Sequence, residues 1–299
     1  MSFFEDFGLS QQLLIILLID LGIATLLLTL MRFILGWSAN VNTQKELAEK
    51  DNFAFGISTA GAVAALGIVL TGAITGEAAS SYTAEAIGLL SYGIVGIVLI
   101  KLGRFIHDKI ALNQFNKNEQ IISGNLSVAI VDAGAVIATA IIIRATLLWV
   151  EDLSLNTFIA IFSSFIIAQL MLVLLTRWRE NRYQKRNQGQ GLQQALIQGN
   201  TALALRHAGY MIAMGLSFNA ASHFIEYVPD AYVSNLLAWL VFSIIMLVAL
   251  SILQFIVKAT VLAKINRSAE VELQHNVGLA AIEVAISFSV AMILTALMA

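Results

Sequence analysis

An all-α polytopic membrane protein of eight transmembrane helices, built as four parallel two-helix hairpin repeats, is the fold class this sequence predicts. Three observations predict it. The 299 residues are 59% hydrophobic and only 12% charged, about half the charged fraction of a soluble domain. Eight apolar stretches reach the roughly 20 residues a helix needs to cross a bilayer. A polar motif returns four times at nearly constant spacing.

The stretches run in order as follows. The first, about 11–35, follows the acidic leader MSFFEDFG and carries Asp20, so it reads as a retained span and not a cleavable signal. The second (52–74) and third (84–106) are rich in small residues, with Gly72 and Gly76 at helix-contact spacing. The fourth (124–148) carries Asp132 and Arg144, and the fifth (155–176) carries Ser163, Ser164 and Gln169. The sixth (200–224) holds Arg206 and His207, the seventh (232–257) Ser243, and the eighth (276–298) Glu283. With one proline in the chain, these are continuous helices; the short alternating segments of a barrel are not their pattern.

Orientation follows from the charges. All of the 17 Lys and Arg except Arg144 and Arg206 fall at four places, near 32–50, 101–117, 177–186 and 258–267. The intervening loops, near 75–85, 149–156 and 225–232, carry Glu77, Glu85, Glu151, Asp152, Glu226 and Asp230 and no basic residue. The positive-inside rule then puts both termini outside and the four basic connections in the cytoplasm.

The repeat is gapless. NFAFGISTAG from Asn52, NLSVAIVDAG from Asn125, NTALALRHAG from Asn200 and NVGLAAIEVA from Asn276 align, with the asparagines 73, 75 and 76 residues apart. Four residues on stands Gly56, Ala129, Ala204 or Ala280; nine on, Gly61, Gly134, Gly209 or Ala285. Six before stands Glu46, Glu119, Gln194 or Glu270. Each unit is a hairpin of about 75 residues, and two hairpins make a four-helix unit, 1–150 and 151–299. The basic linker 177–199, with Gly189 and Gly191, lies in the first hairpin of the second unit.

This pattern, a basic connection followed by Glu-x-x-x-x-x-Asn-x-x-x-Gly/Ala, resembles the YjfL-like family of bacterial inner-membrane proteins of unknown function. The resemblance covers roughly 9–148 and 155–298 as two fused copies; Gln194 departs from it by losing the carboxylate. It implies a bacterial cytoplasmic-membrane location and a role in envelope physiology. It supplies no catalytic residues.

The asparagine and the residues four and seven positions on share one helical stripe, at roughly 100° per residue. The seventh is Thr59, Asp132, His207 or Glu283, roughly 10 Å beyond the asparagine. Two readings stand. In one, these residues with Arg206 form a polar ring that handles an ion, a proton or a small solute, His207 exchanging a proton. In the other, they are a buried network holding the even-numbered helices together, with the asparagines as caps or interhelical hydrogen-bonders. Asp20 is a separate intramembrane carboxylate, read as a cation or proton site or as the partner of Arg144 or a serine. Four hairpins around a pseudo-fourfold axis would bring the stripes to one centre; two side-by-side bundles would satisfy the same sequence.

The chain has no cysteine, which excludes disulfides, thiolate metal sites and a thiol nucleophile. It has no phosphate-binding glycine loop and no metalloprotease motif, and no nucleophile–base pair can be assembled, so an enzyme is not expected. No metal and no cofactor are expected. A net charge of −2 gives no reason to expect a nucleic acid. The predicted partners are membrane lipids, small ions and a cytoplasmic protein or anionic headgroups at the basic 177–186 stretch; the sequence leaves the oligomer open. The leading function is a channel or transporter for small ions, and the rival is a non-transporting envelope scaffold.

Overall fold

The computed structural model describes residues 11–74, 81–148, 155–225, 228 and 231–298. Glu77, Glu151, Asp152, Glu226 and Asp230, which mark the predicted outer loops, lie outside the described residues. The helices are α1 (Gln11–Ser38), α2 (Phe53–Ile74), α3 (Tyr82–Ile106), α4 (Lys117–Ile122), α5 (Leu126–Leu147), α6 (Leu155–Arg186), α7 (Leu192–Ile197), α8 (Thr201–Ser222), α9 (Tyr232–Val261) and α10 (Val277–Met298). Each of α2, α5, α8 and α10 is preceded by a short helical turn. That turn is α4 or α7 in the second and third repeats, and a π turn at Lys45–Glu49 or Ala269–Leu273 in the first and fourth.

Among the described residues, seven helices are long and apolar enough to cross a membrane: α1, α2, α3 with its extension to Ala111, α5, α6, α9 and α10. The remaining long helix, α8, matches α2, α5 and α10 in length. Arg206, His207, Ser217 and Asn219 lower its hydropathy. It can carry them because α5 and α10 enclose it on two sides, and a helix sheathed in protein need not be apolar all round.

Two layers result. In one, α2 packs on α5, α5 on α8 and α8 on α10, in a row. In the other, α1 and α3 lie against α2, α3 and α6 against α5, and α9 against α8 and α10. The row is open, with α2 and α10 at its ends, so the pseudo-fourfold axis envisaged from the sequence is not the arrangement. Hairpins that each add one helix to a row keep their equivalent faces parallel instead of turning them to a common centre.

One crossing builds the row three times. A Cβ on Gly61 would stand 2.5 Å from the Cβ of Ala133, one on Gly134 2.5 Å from that of Ala208, and one on Gly209 2.5 Å from Cγ2 of Val284. The ninth residue of each motif thus meets the eighth of the next, and only glycine admits backbones that close. The fourth motif carries Ala285 at this position, exposed at the end of the row. Apolar packing is continuous through α5, whose Val128 and Ile142 join the second-half core while Val136 and Ile143 join the first-half core. Leu18 and Leu21 of α1 and Phe255 of α9 face outward, an apolar surface suited to lipid.

Candidate functional site

The repeated asparagines do two things at once. Oδ1 of Asn52, Asn125, Asn200 and Asn276 accepts from the backbone N–H of Phe55, Val128, Leu203 and Leu279 at 3.0, 3.2, 2.9 and 2.9 Å. These are N-caps of α2, α5, α8 and α10. The amide nitrogen then reaches into the next repeat. Asn52 donates to the carbonyls of Ile121 and Ile122 (3.3 and 2.9 Å), Asn125 to Leu196 and Ile197 (3.2 and 3.0 Å), and Asn200 to Glu272 (3.3 Å). Those carbonyls end short helices, where intrahelical donors run out. Asn276, at the end of the row, donates to its own Glu270 at 2.9 Å.

The column six residues earlier divides. Glu46 accepts from Asn52 at 3.1 Å, as Glu270 does from Asn276. A hydrogen bond from Lys50 at 2.6 Å holds the Glu46 carboxyl below the usual carboxylate range. Glu119 instead accepts from Asn116 at 2.7 Å, and Gln120 stands beside Asn125 at 2.9 Å; Gln194 is exposed. Among the described residues, Glu–Asn pairing is therefore confined to the first and fourth repeats. There the preceding turn is π, which advances less per residue than an α turn and so changes which side chain faces the asparagine.

The intramembrane polar residues form two ionic clusters and a seam, not one ring. In the first cluster Asp132 of α5, 1% exposed, is gripped by Arg104 of α3 (Nη2–Oδ2 2.6 Å, Nε–Oδ1 3.2 Å) and by Lys117 of α4 (Nζ–Oδ1 2.9 Å). Ser58 of α2 donates to Oδ2 at 2.6 Å and accepts from Arg104 at 2.9 Å. Lys117 also donates to the Arg104 carbonyl at 3.2 Å. Beside this cluster opens a cavity of about 290 Å³, which Thr59 lines.

In the second cluster Glu283 of α10 receives Arg206 of α8 (Nε–Oε2 2.5 Å) and, at 3.8 Å, Arg267. Arg206 further pairs with Glu272 at 3.1 Å and donates to the Arg267 carbonyl at 2.6 Å. Asn187 donates to the other oxygen of Glu272 at 2.9 Å. The adjoining cavity is larger, about 530 Å³. Among the described residues, Arg179, Arg182, Arg186, Arg206, Lys258 and Arg267 line it with only Glu272 and Glu283 against them.

His207 belongs to neither cluster. Its Nε2 lies 3.4 Å from Thr176 Oγ1, which lies 3.5 Å from Nε2 of His107, at the seam between the units. Both histidines are fully buried. Asp20 is buried on α1, and its Oδ1 has no hydrogen-bond partner among the described residues. Arg144 is not its partner: Arg144 Nε donates to Thr71 at 3.1 Å, and its side chain covers Gly72.

Sequence reasoning missed Ser58, Arg104, Lys117, Glu272 and Arg267. Arg104, Lys117 and Arg267 read there as topology signals, and Glu272 carried no signal at all. A column comparison would have found one link, since Ser58 and Arg206 both stand six residues after their asparagine.

No curated protein and no solved structure matches the chain. The clusters occur once per half, and a family model likewise matches twice, over residues 8–147 and 152–298. The chain is a multi-spanning membrane protein with an internal duplication, and it belongs to the family described as Domain of Unknown Function (DUF350).

Proposed function

We propose that the protein is a non-conducting scaffold of the bacterial cytoplasmic membrane. In this reading it has eight spans, α8 joining the seven more apolar helices as the sixth in order, and both termini are outside. Its basic connections gather anionic lipids or partners in the cytoplasm, and it carries out no enzymatic step. The YjfL-like resemblance belongs to the same reading. The observation that carries it is the commitment of both repeat carboxylates: Asp132 and Glu283 are buried and each faces two cations. A conducting site must hold its ion weakly enough to release it, whereas these carboxylates already have fixed partners. The charge distribution supports the orientation.

Ion flux in proteoliposomes tests this against the transport reading. Vesicles with the native protein, D132N, H207A or E283Q are screened for H⁺, Na⁺, K⁺ and Cl⁻ across pH and voltage. Flux equal to that of empty vesicles is expected throughout. Flux above it that these substitutions alter in folded protein would replace the scaffold with a conductor. Because the chain has no cysteine, single cysteines introduced near 40, 115, 190 and 265 report topology; labelling from the cytoplasmic side alone is expected.

A further inference from the structure

The second-unit cavity holds more positive charge than its own carboxylates neutralise, and we propose that it binds a phosphomonoester anion. Six cations and two carboxylates line it, an excess of four positive charges. Glu283 occupies Arg206 and Arg267, and Glu272 occupies Arg206 and, at 4.0 Å, Arg186. Among the described residues, Arg179, Arg182 and Lys258 form no ion pair.

Their remaining contacts leave donors available. Arg179 lies over the Tyr210 ring at 4.9 Å and Arg182 over the Trp178 ring at 5.3 Å. Such stacking uses the face of a guanidinium and leaves its edge to donate. Nε of Arg179 is buried without a hydrogen-bond partner, a state that costs free energy until an acceptor arrives. Lys258 Nζ reaches Gln254 Oε1 only at 3.5 Å. The donors come from α6, α8, α9 and the segment before α10, so they approach a ligand from several directions.

That arrangement selects the ligand class. A phosphomonoester carries about −1.5 to −2 charge at neutral pH and three terminal oxygens that accept from several sides. Guanidinium forks match those oxygens in pairs, and an ammonium adds a point charge. Chloride or a single carboxylate would leave most of the excess charge in place. The cavity lies among the basic residues of the 177–186 and 258–267 segments, where a phosphatidate headgroup and a free phosphate share the recognised chemistry. The first-unit cavity is an internal control: its Arg104 and Lys117 are held by Asp132. The inference deepens the scaffold reading by naming a ligand class, and binding is measured without flux, so either can fail alone.

The test titrates inorganic phosphate into the full-length protein in uncharged detergent at low salt, by calorimetry. Saturable binding is expected, about tenfold weaker in Arg182→Gln or Lys258→Gln, the loss of one charge-assisted hydrogen bond. Lys258→Arg should retain it, and Lys101→Gln, in the first-unit cavity, should not change it. A second arm measures phosphatidic acid retained from phosphatidylcholine nanodiscs by mass spectrometry. Binding in both arms assigns recognition to the phosphate group itself; binding confined to nanodiscs assigns it to the lipid. Blank results in both arms, or Arg182→Gln and Lys258→Gln variants that bind as well as the native chain, would overturn the proposal.

Discussion

The two ionic clusters solve the same problem with the arginine on opposite sides. In the first unit the carboxylate is Asp132, seven residues into the second hairpin's motif, and Arg104 reaches it from α3 across Ser58. In the second unit the carboxylate is Glu283, again at the seventh position, and Arg206 reaches it from α8, at the position Ser58 occupies in the first unit. Near the place of Arg104, α9 carries Gln254, which accepts from Ser287 at 3.2 Å. What the two halves share is a compensated carboxylate at one depth, not a particular helix as donor. The difference has a cost and a consequence. Asp132 is enclosed by Lys117, buried like itself, and by Arg104, partly buried, whereas Glu283 borders a cavity whose six cations outnumber its two carboxylates threefold.

The comparison breaks first at the carboxylates. Asp132→Asn leaves Arg104 and Lys117 facing each other, Lys117 with a side chain only 3% exposed. Breaking a buried pair in this way costs about 3–5 kcal/mol. Glu283→Gln should cost less, about 1–3 kcal/mol, because Arg206 retains Glu272 and the Arg267 side chain is 28% exposed. Reversible unfolding in mixed micelles measures both. Equal losses would mean that the second cavity gives its cations no access to water. A sharper form transplants one solution into the other unit. Arg104→Gln alone should destabilise by about 2 kcal/mol, and adding Ser58→Arg should recover most of that if the donor helix is immaterial.

Next come the crossings, which are alike in backbone but not in what they meet. A Cβ at Gly134 would stand 2.5 Å from the Cβ and 2.7 Å from the Cα of Ala208, at the junction of the two units. Backbone cannot turn aside, so Gly134→Ala should cost about 1–3 kcal/mol despite alanine's better helix propensity. At Gly209 the obstacle is the Val284 side chain, which can change rotamer, and Gly209→Ala should cost less. Ala285→Gly, at an exposed position, should show only the propensity loss of about 1 kcal/mol. Thermal unfolding of the three variants ranks them; a Gly134 variant as stable as the native chain would remove the crossing as the source of the row.

Much of this is legible in the sequence, and what is not has physical causes. Helical period and repeat columns place Asn52, Asn125, Asn200 and Asn276 at equivalent helix starts and put Asp132 and Glu283 on one face. Periodicity tells which side of a helix is polar but not which neighbour it meets, so a row and a ring read alike. Arg104 and Lys117 lie in the basic border that sets orientation, and that signal hides a partner inside it. The stretch 177–186 reads as a connection because it lacks an apolar period, yet α6 continues through it to Arg186 and turns Arg179, Arg182 and Arg186 toward a cavity.

The smallest expected effect separates the two tasks of the repeated asparagine. Asn276→Ala, at an exposed position, removes a cap and a bond to the half-buried Glu270, about 1 kcal/mol. Asn125→Ala removes the same cap and also the two carbonyl contacts that tie the first unit to the second, at Leu196 and Ile197. Its loss should be larger by about 1 kcal/mol, the net contribution of a typical intramolecular hydrogen bond. Hydrogen exchange locates the difference: the Asn125 variant should speed exchange in α7 and the start of α8, and the Asn276 variant only at the start of α10. If the two variants lose equal stability and α7 stays protected, the asparagines are caps alone, and the units are joined by the Gly134 crossing and the packing that surrounds it.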